Sequence, residues 1–327
     1  MDRLQFIHHP ACSLHDTGWG HPEHQGRLRA VAQAVSKALP ELHDIIHPVD
    51  GAPIDPALAL LVHTQRHVDH IRATVEQAQE ADELGRLDVD TVVSARSWEA
   101  ALAGAGCAVD AVTAVLTGQT RTAFAAIRPP GHHAESDRAM GFCLLNNVAI
   151  AAATARDRGL AERILVVDWD VHHGNGTQDI FYSEPDVYYL SMHQSPHYPG
   201  TGAASDLGEG AGLGTTRNLP MAPGLDPELY LEALLEAITE ASQQFRPDLL
   251  MISAGFDAAR EDPLGGFTLD AEHFSRLTSE AVRRTAASTG GRTVSVLEGG
   301  YNPPELGRNV VAHLKALAAS TGSESTP

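Results

Sequence analysis

Asp168, Asp170 and His172 stand at alternate positions after the apolar run Ile164-Leu-Val-Val167. In extended chain, alternate side chains face the same way, so the pattern predicts two carboxylates and an imidazole gathered at a strand end. Such a cluster is costly unless a cation neutralises it. Ser253-Ala-Gly-Phe-Asp257 follows another apolar run in the same manner. Alone, Asp257 would be an ordinary loop carboxylate. With Asp170 and His172 it completes a three-ligand set that leaves a coordination position for water and substrate, as catalytic zinc requires. Two aspartates and one histidine are a harder donor set than zinc usually takes, so Fe2+ could substitute, with Zn2+ the first expectation. Gly174 and Gly176 are expected to let the backbone turn sharply beyond the ligands.

Arg128-Pro-Pro-Gly-His-His133 puts two adjacent imidazoles, His132 and His133, on a stiff turn. They cannot share one hydrogen-bond partner. Asp168 is the carboxylate left over once Asp170 is spent on the metal, and Asn175 offers a neutral amide two residues beyond His173. A carboxylate partner favours imidazolium and an amide does not, so histidines so paired would differ in basicity. Glu298-Gly-Gly-Tyr301 follows a further apolar run. There the glycines permit close backbone approach, and the Tyr301 hydroxyl beside a metal suits an oxyanion donor.

These residues need elements to hold them. Short runs rich in β-branched residues predict strands at 4–7, 122–127, 164–167, 187–190, 249–252 and 293–297. Helical patterns fall between, at 99–116, 147–158, 227–245, 271–287 and 305–318. In the third helix Tyr230, Leu234, Ile238, Ala241 and Phe245 recur at three- and four-residue steps, as packing on a sheet requires. This alternation predicts an α/β fold with a mainly parallel sheet flanked by helices and long active-site loops. Nearly every chemically unusual residue then falls just after a strand, where open α/β sheets bind ligands. With no low-complexity divider and no internal repeat, residues 1–319 are read as one catalytic domain and 320–327 as a flexible tail.

The chain's 327 residues include 23 basic and 42 acidic side chains, a net charge of −19. That balance repels phosphate backbones and anionic lipid surfaces, which argues against nucleic acid and membrane as partners. A cationic substrate fits it, although an acidic surface commonly serves solubility alone. Cys12, Cys107 and Cys143 are odd in number and form no CxxC pair, so neither a disulfide framework nor a thiolate zinc site is expected. A reducing, cytoplasmic setting follows. No signal-length apolar core opens the sequence, and no uninterrupted run of 18 apolar residues occurs in it.

Taken in order, Gly20-His-Pro-Glu23 with Arg27, Arg128-Pro-Pro-Gly-His-His133, Gly141-Phe-Cys143, Asp168-Trp-Asp-Val-His-His-Gly174, Pro199-Gly-Thr-Gly202, Ser253-Ala-Gly-Phe-Asp257, Asp262-Pro-Leu-Gly265 and Glu298-Gly-Gly-Tyr301 resemble the histone deacetylase superfamily. That superfamily also contains acetylpolyamine amidohydrolases and bacterial deacylases. The resemblance covers most of the chain and implies an arginase/deacetylase fold, with Asp170, His172 and Asp257 on the catalytic zinc. It implies His133 as general base and then acid, His132 as its electrostatic helper paired with Asp168, and Tyr301 as carbonyl polariser. Gly141 would accept a hydrogen bond from the scissile amide, and Phe142 would line an acyl-lysine tunnel. A structural K+ would lie among Asp168, the backbone of Asp170 and His172, Ser191 and the Met192 carbonyl. Asn175, where many animal nuclear members carry Asp, resembles the class II pattern. Tyr198 stands where the tunnel commonly has a second Phe. Leu264 resembles the rim position at which a polyamine-selective member carries Glu.

The reading that results is a zinc-dependent amidohydrolase removing acetyl or another short acyl group from the Nε amine of lysine in peptides or proteins. Leu264 offers no counter-charge to a secondary ammonium and can pack on an acyl-lysine stem. The alternative is an acetylpolyamine amidohydrolase acting on acylated small amines, with Asp88 and Asp90 supplying negative charge in place of a rim Glu. A catalytically inactive acyl-lysine binding module and a two-manganese ureohydrolase are weaker alternatives, since every catalytic position is chemically competent and the second Asp-rich run is missing. Homo-oligomerisation is left open.

Overall fold

The six apolar runs are all strands, and all lie in one eight-stranded parallel sheet. The computed structural model describes residues 3–320. Its strands are β1 (Leu4–His8), β2 (Ile46–Asp50), β3 (Gly85–Arg86), β4 (Val92–Val93), β5 (Thr122–Ala126), β6 (Ile164–Asp168), β7 (Val187–Gln194), β8 (Thr216–Met221), β9 (Leu249–Ala254) and β10 (Thr293–Leu297). Its helices are α1 (Gly26–Lys37), α2 (Leu39–Leu42), α3 (Pro56–Ala59), α4 (Gln65–Ala81), α5 (Ser97–Leu116), α6 (Asn147–Asp157), α7 (Asn175–Phe181), α8 (Pro227–Phe245), α9 (Ala271–Thr289) and α10 (Pro303–Ala319).

The sheet runs β2-β1-β5-β10-β9-β6-β7-β8, and β3 and β4 form a separate small antiparallel pair. Strands β5, β6, β9 and β10 are buried along their whole length, which is why they read as continuous apolar runs instead of alternating ones. On one face α5 and α6 pack together; on the other, α1, α10, α9 and α8 form a continuous row. Helix α8 starts where Asp226 caps the Glu228 amide and Pro227 takes the first position, and it ends at Arg246 with φ 52°. Its buried stripe contains Tyr230, Leu234, Ile238 and Ala241, as the spacing predicted.

Helix α5 is long and apolar enough to cross a membrane by length and composition, yet 72% of its apolar window is buried inside the fold. Glu99 and Asp110 interrupt its sequence, so it contains no unbroken apolar run of spanning length. At the C-terminus Ser320 donates its hydroxyl to the Ala316 carbonyl at 2.8 Å. The rest of the expected tail, 321–327, lies outside the described residues.

Candidate active site

The four central strands β5, β10, β9 and β6 are consecutive neighbours in the sheet. Their C-terminal loops carry His132 and His133, Tyr301, Asp257, and Asp170 with His172, respectively. Sheet order, not sequence order, brings these residues together at the strand ends.

Asp170, His172 and Asp257 each offer a ligand atom, all within 4.8 Å of one another, and all three residues are buried. His172 Nδ1 lies 2.9 Å from Asp170 Oδ1 and 3.3 Å from Asp257 Oδ2. Two backbone amides aim the carboxylates: Val171 N–H donates to Asp257 Oδ1 and Gly299 N–H to Asp170 Oδ2, both at 2.8 Å. Asp257 Oδ2 has no hydrogen-bond partner. Burial, reinforced by the Asp170 charge, pushes Asp257 up to about 7. Burial would lower His172, but contacts to Asp170 and Asp257 outweigh it and carry the imidazole up to about 10. Both shifts, and the orphaned oxygen, mark an excess of buried negative charge that a divalent cation relieves. The donor set and its burial therefore fit a metal.

The strand ends at Asp168, so the expected alternation stops four residues before His172 and does not align all three side chains. Asp168 Oδ1 accepts the Asp170 amide at 3.1 Å, and this turn sends Asp168 toward His132 while Asp170 faces His172. Gly174 and Gly176 are also needed for a reason other than a left-handed turn, since neither has positive φ. A Cβ on Gly174 would stand 2.3 Å from Asp168 Oδ2, and one on Gly176 2.2 Å from the Ala134 carbonyl oxygen. Close approach, not turning, excludes side chains there. Gly299 is similar, with a Cβ position 2.0 Å from Asp257 Oδ2.

His132 Nδ1 lies 3.0 Å from Asp168 Oδ2, which also accepts from the Tyr189 hydroxyl at 3.0 Å. His133 Nδ1 lies 2.8 Å from Asn175 Oδ1, and the Asn175 amide donates onward to Glu135 at 2.7 Å. The two rings are 4.0 Å apart, centroid to centroid. Burial opposes charge on both. At His132 the Asp170 and Asp168 carboxylates outweigh burial and raise it to about 10. At His133 burial prevails, helped by the positive charges of His132 and His172, and holds it well below its ordinary value. Glu298 fixes the turn beneath them, accepting from the Gly131 amide at 2.7 Å and the His132 amide at 3.2 Å. That role was not legible, because a carboxylate before Gly-Gly-Tyr carries no mark of the loop it will support.

Tyr301 is held from two sides. Its amide donates to Asp262 Oδ2 at 2.7 Å, and the Arg27 guanidinium lies 4.9 Å from its ring centroid. Arg27 itself donates to the Gly300 carbonyl at 2.7 Å and to that of Glu298. Below lies a buried charge network in which Arg128 grips both Glu23 carboxylate oxygens, at 2.5 and 2.6 Å, and Arg27 reaches the first at 3.0 Å.

A cavity of about 390 Å³ opens onto the cluster, lined by His133, Gly141, Phe142, His172, His197, Tyr198, Leu264, Tyr301 and Asp90 among others. Gly141 and Phe142 both have left-handed φ, 56° and 69°. For Phe142 this stores about 1–3 kcal/mol of strain, held in place by an amide hydrogen bond to Thr91 Oγ1 at 3.1 Å. A Cβ on Gly141 would stand 2.4 Å from the His133 ring. The Tyr198 ring packs edge-on to His133 at 5.1 Å, and its buried hydroxyl has no partner. His197, which the sequence did not single out, stacks on His172 at 4.9 Å and 17° and bonds the Leu264 carbonyl at 2.8 Å. Its only signal was adjacency to Tyr198. Asp88 is not among the lining residues, whereas Asp90 is. Asp168 and Ser191 are register partners on β6 and β7, with buried Met192 next along β7.

With this geometry in place, comparison with known proteins is direct. Residues 21–317 match the family described as the histone deacetylase domain. Histone deacetylase 15 of Arabidopsis thaliana is 38% identical over 311 residues, covering 94% of this chain and 54% of the plant protein. A probable deacetylase of Methanothermobacter thermautotrophicus is 38% identical over 323 residues, 96% of this chain and 90% of its own length. The crystal structure of the HDA15 HD domain superposes with a TM-score of 0.89 at 36% identity, covering 99% of this chain and 90% of that one. The chain belongs to the histone deacetylase family. Its fold is the single-domain arginase/deacetylase fold that the resemblance implied. The chain thus spans only about half of the plant relative's length.

Proposed function

We propose that this chain is a zinc-dependent amidohydrolase that removes acetyl or another short acyl group from the Nε amine of lysine in peptides or proteins. The observation that carries this reading is the buried Asp170–His172–Asp257 cluster opening into a cavity that also presents His133 and Tyr301. Asp170, His172 and Asp257 would hold the metal. When bound, a divalent cation polarises the amide carbonyl and lowers the pKa of water toward neutrality; zinc is preferred, and Fe2+ fits the same donors.

His133, kept neutral by burial and by the positive charges of His132 and His172 and oriented by Asn175, accepts the proton of the attacking water. It returns that proton to the amine nitrogen as the C–N bond breaks. His132 holds a positive charge against Asp168 and favours the negative charge that develops on the substrate carbonyl oxygen. The Tyr301 hydroxyl donates to the carbonyl oxygen as it becomes negative. Phe142 and Tyr198 form tunnel walls, the Gly141 carbonyl receives the scissile N–H, and Leu264 packs on the acyl-lysine stem at the rim. Asp168, the backbone of Asp170 and His172, Ser191 and Met192 would hold K+. Three free, buried thiols support a cytoplasmic setting.

Asp90 in the cavity lining favours acetylpolyamines as the second reading. The test is kcat/KM for acetyl-lysine peptides against N-acetylspermidine and N-acetylputrescine, with Leu264→Glu beside the wild type. Preference for the peptides supports the assignment, and preference for the polyamines overturns it. A Leu264→Glu variant that gains no polyamine activity would show that Leu264 is not the selector.

A further inference from the structure

Outward from the cavity mouth, two loops are stitched side by side. The Asp16 amide donates to Ser94 Oγ at 3.1 Å, His21 Nε2 lies 3.3 Å from the Asp90 carbonyl oxygen, and a Cβ on Gly18 would stand 2.8 Å from Leu84 Cδ1. The His21 ring meets Phe142 edge-on at 4.8 Å, and both Phe142 and Asp90 line the cavity. The seam between the loops is therefore continuous with the mouth.

Three apolar side chains are left in water along that seam. Trp19, two residues before His21, is 104% exposed; Val89, next to Asp90, is 84% exposed; Leu84 is 44% exposed. A tryptophan is the side chain with most to gain from being covered, and apolar groups gathered beside a binding cavity, unlike ones scattered singly, mark a contact surface. The charges on the same two loops are mainly acidic. The loops carry Asp16, Asp88 and Asp90 and one arginine, Arg86, which spends a hydrogen bond on the Val89 carbonyl at 3.2 Å. The combination suits a segment with apolar side chains and no acidic ones.

We infer that Trp19, Leu84 and Val89 form a recognition rim for the peptide that carries the acyl-lysine, taking an apolar or aromatic side chain close to that lysine. This rests on the acyl-lysine reading above: with the lysine stem in the cavity, its main chain leaves past Asp90 and Phe142. An extended peptide advances about 3.3 Å per residue, so its next side chains fall on the rim.

The experiment compares kcat/KM for acetyl-lysine pentapeptides with Leu or Phe, Gly, or Asp flanking the lysine, and for Nα-blocked acetyl-lysine without flanks. Apolar flanks are expected to give about a tenfold advantage over Gly, carried by KM, as covering one such side chain provides. Asp flanks are expected to fall below Gly. Trp19→Ala should erase the apolar advantage while leaving kcat and KM for the flankless substrate unchanged. Trp19 emission should shift to the blue as a Leu-flanked peptide is titrated, judged by difference from Trp19→Phe. Equal kcat/KM across flanks, or an equal loss on flanked and flankless substrates in Trp19→Ala, would overturn the rim while the hydrolase reading stands. Failure of wild type to hydrolyse even the flankless acetyl-lysine would remove both.

Discussion

His133 Nδ1 stands 2.8 Å from the amide oxygen of Asn175, while the adjacent His132 faces the Asp168 carboxylate at 3.0 Å. The nearby carboxylates keep His132 charged, while burial and the positive charges of His132 and His172 keep His133 neutral, although the two neighbour each other in sequence. Asn175→Asp would give His133 a carboxylate partner and raise its pKa. A general base works in its neutral form, so the acidic limb of the pH profile of kcat/KM should move to higher pH. An unmoved limb would show that Asn175 does not set the basicity of His133.

Tyr301→Phe should keep metal and substrate binding but lower kcat by about 10²–10³, the usual loss for one oxyanion donor. The backbone contacts of this residue, including the hydrogen bond its amide donates to Asp262 Oδ2, do not involve the hydroxyl, so the fold should persist. Metal content, KM and kcat measured together check this. Wild-type kcat in the variant would remove Tyr301 from the chemistry.

Glu23 is fully buried between Arg128 and Arg27. Burial would raise its pKa, but the charge and hydrogen bonds of Arg128, with Arg27, outweigh it and hold the carboxyl well below its usual range. A depressed folded-state pKa means that the stabilisation is present above the unfolded value of 4.5 and is lost as pH falls toward the folded one. Glu23→Ala strands two guanidinium groups and should cost about 3–5 kcal/mol in urea unfolding at neutral pH. A cost below about 1 kcal/mol would contradict the network's structural role.

Much of this was legible because the central strands are buried on both faces and so spell unbroken apolar runs, each ending where chemistry begins. The edges were not. β2, with Pro48, and β8, with Pro220, are short, part-exposed edge strands whose polar residues break any apolar run. Helices α1 and α4 were also unread. Each buries only a narrow stripe, Arg27, Val31 and Val35 in α1, among many polar residues. At the site, residue types announced the metal cluster and the histidine pair. Their supports, Glu298 under the His-His turn and Asp262 behind Tyr301, depend on loops more than a hundred and about forty residues apart in sequence, which no local pattern encodes. Gly174 and Gly176 were anticipated as turns, yet both are demanded by neighbours packed against their backbones, the close approach expected at Gly299.

The central claim is that the buried Asp170–His172–Asp257 cluster holds a metal on which amide hydrolysis depends. The most direct test measures acetate release from an acetyl-lysine peptide by metal-stripped protein, before and after one equivalent of zinc per chain, with metal content verified. The account predicts no turnover without metal, recovery with zinc, and joint loss of metal and activity in Asp170→Ala, His172→Ala and Asp257→Ala. Full turnover by verified metal-free protein would contradict it.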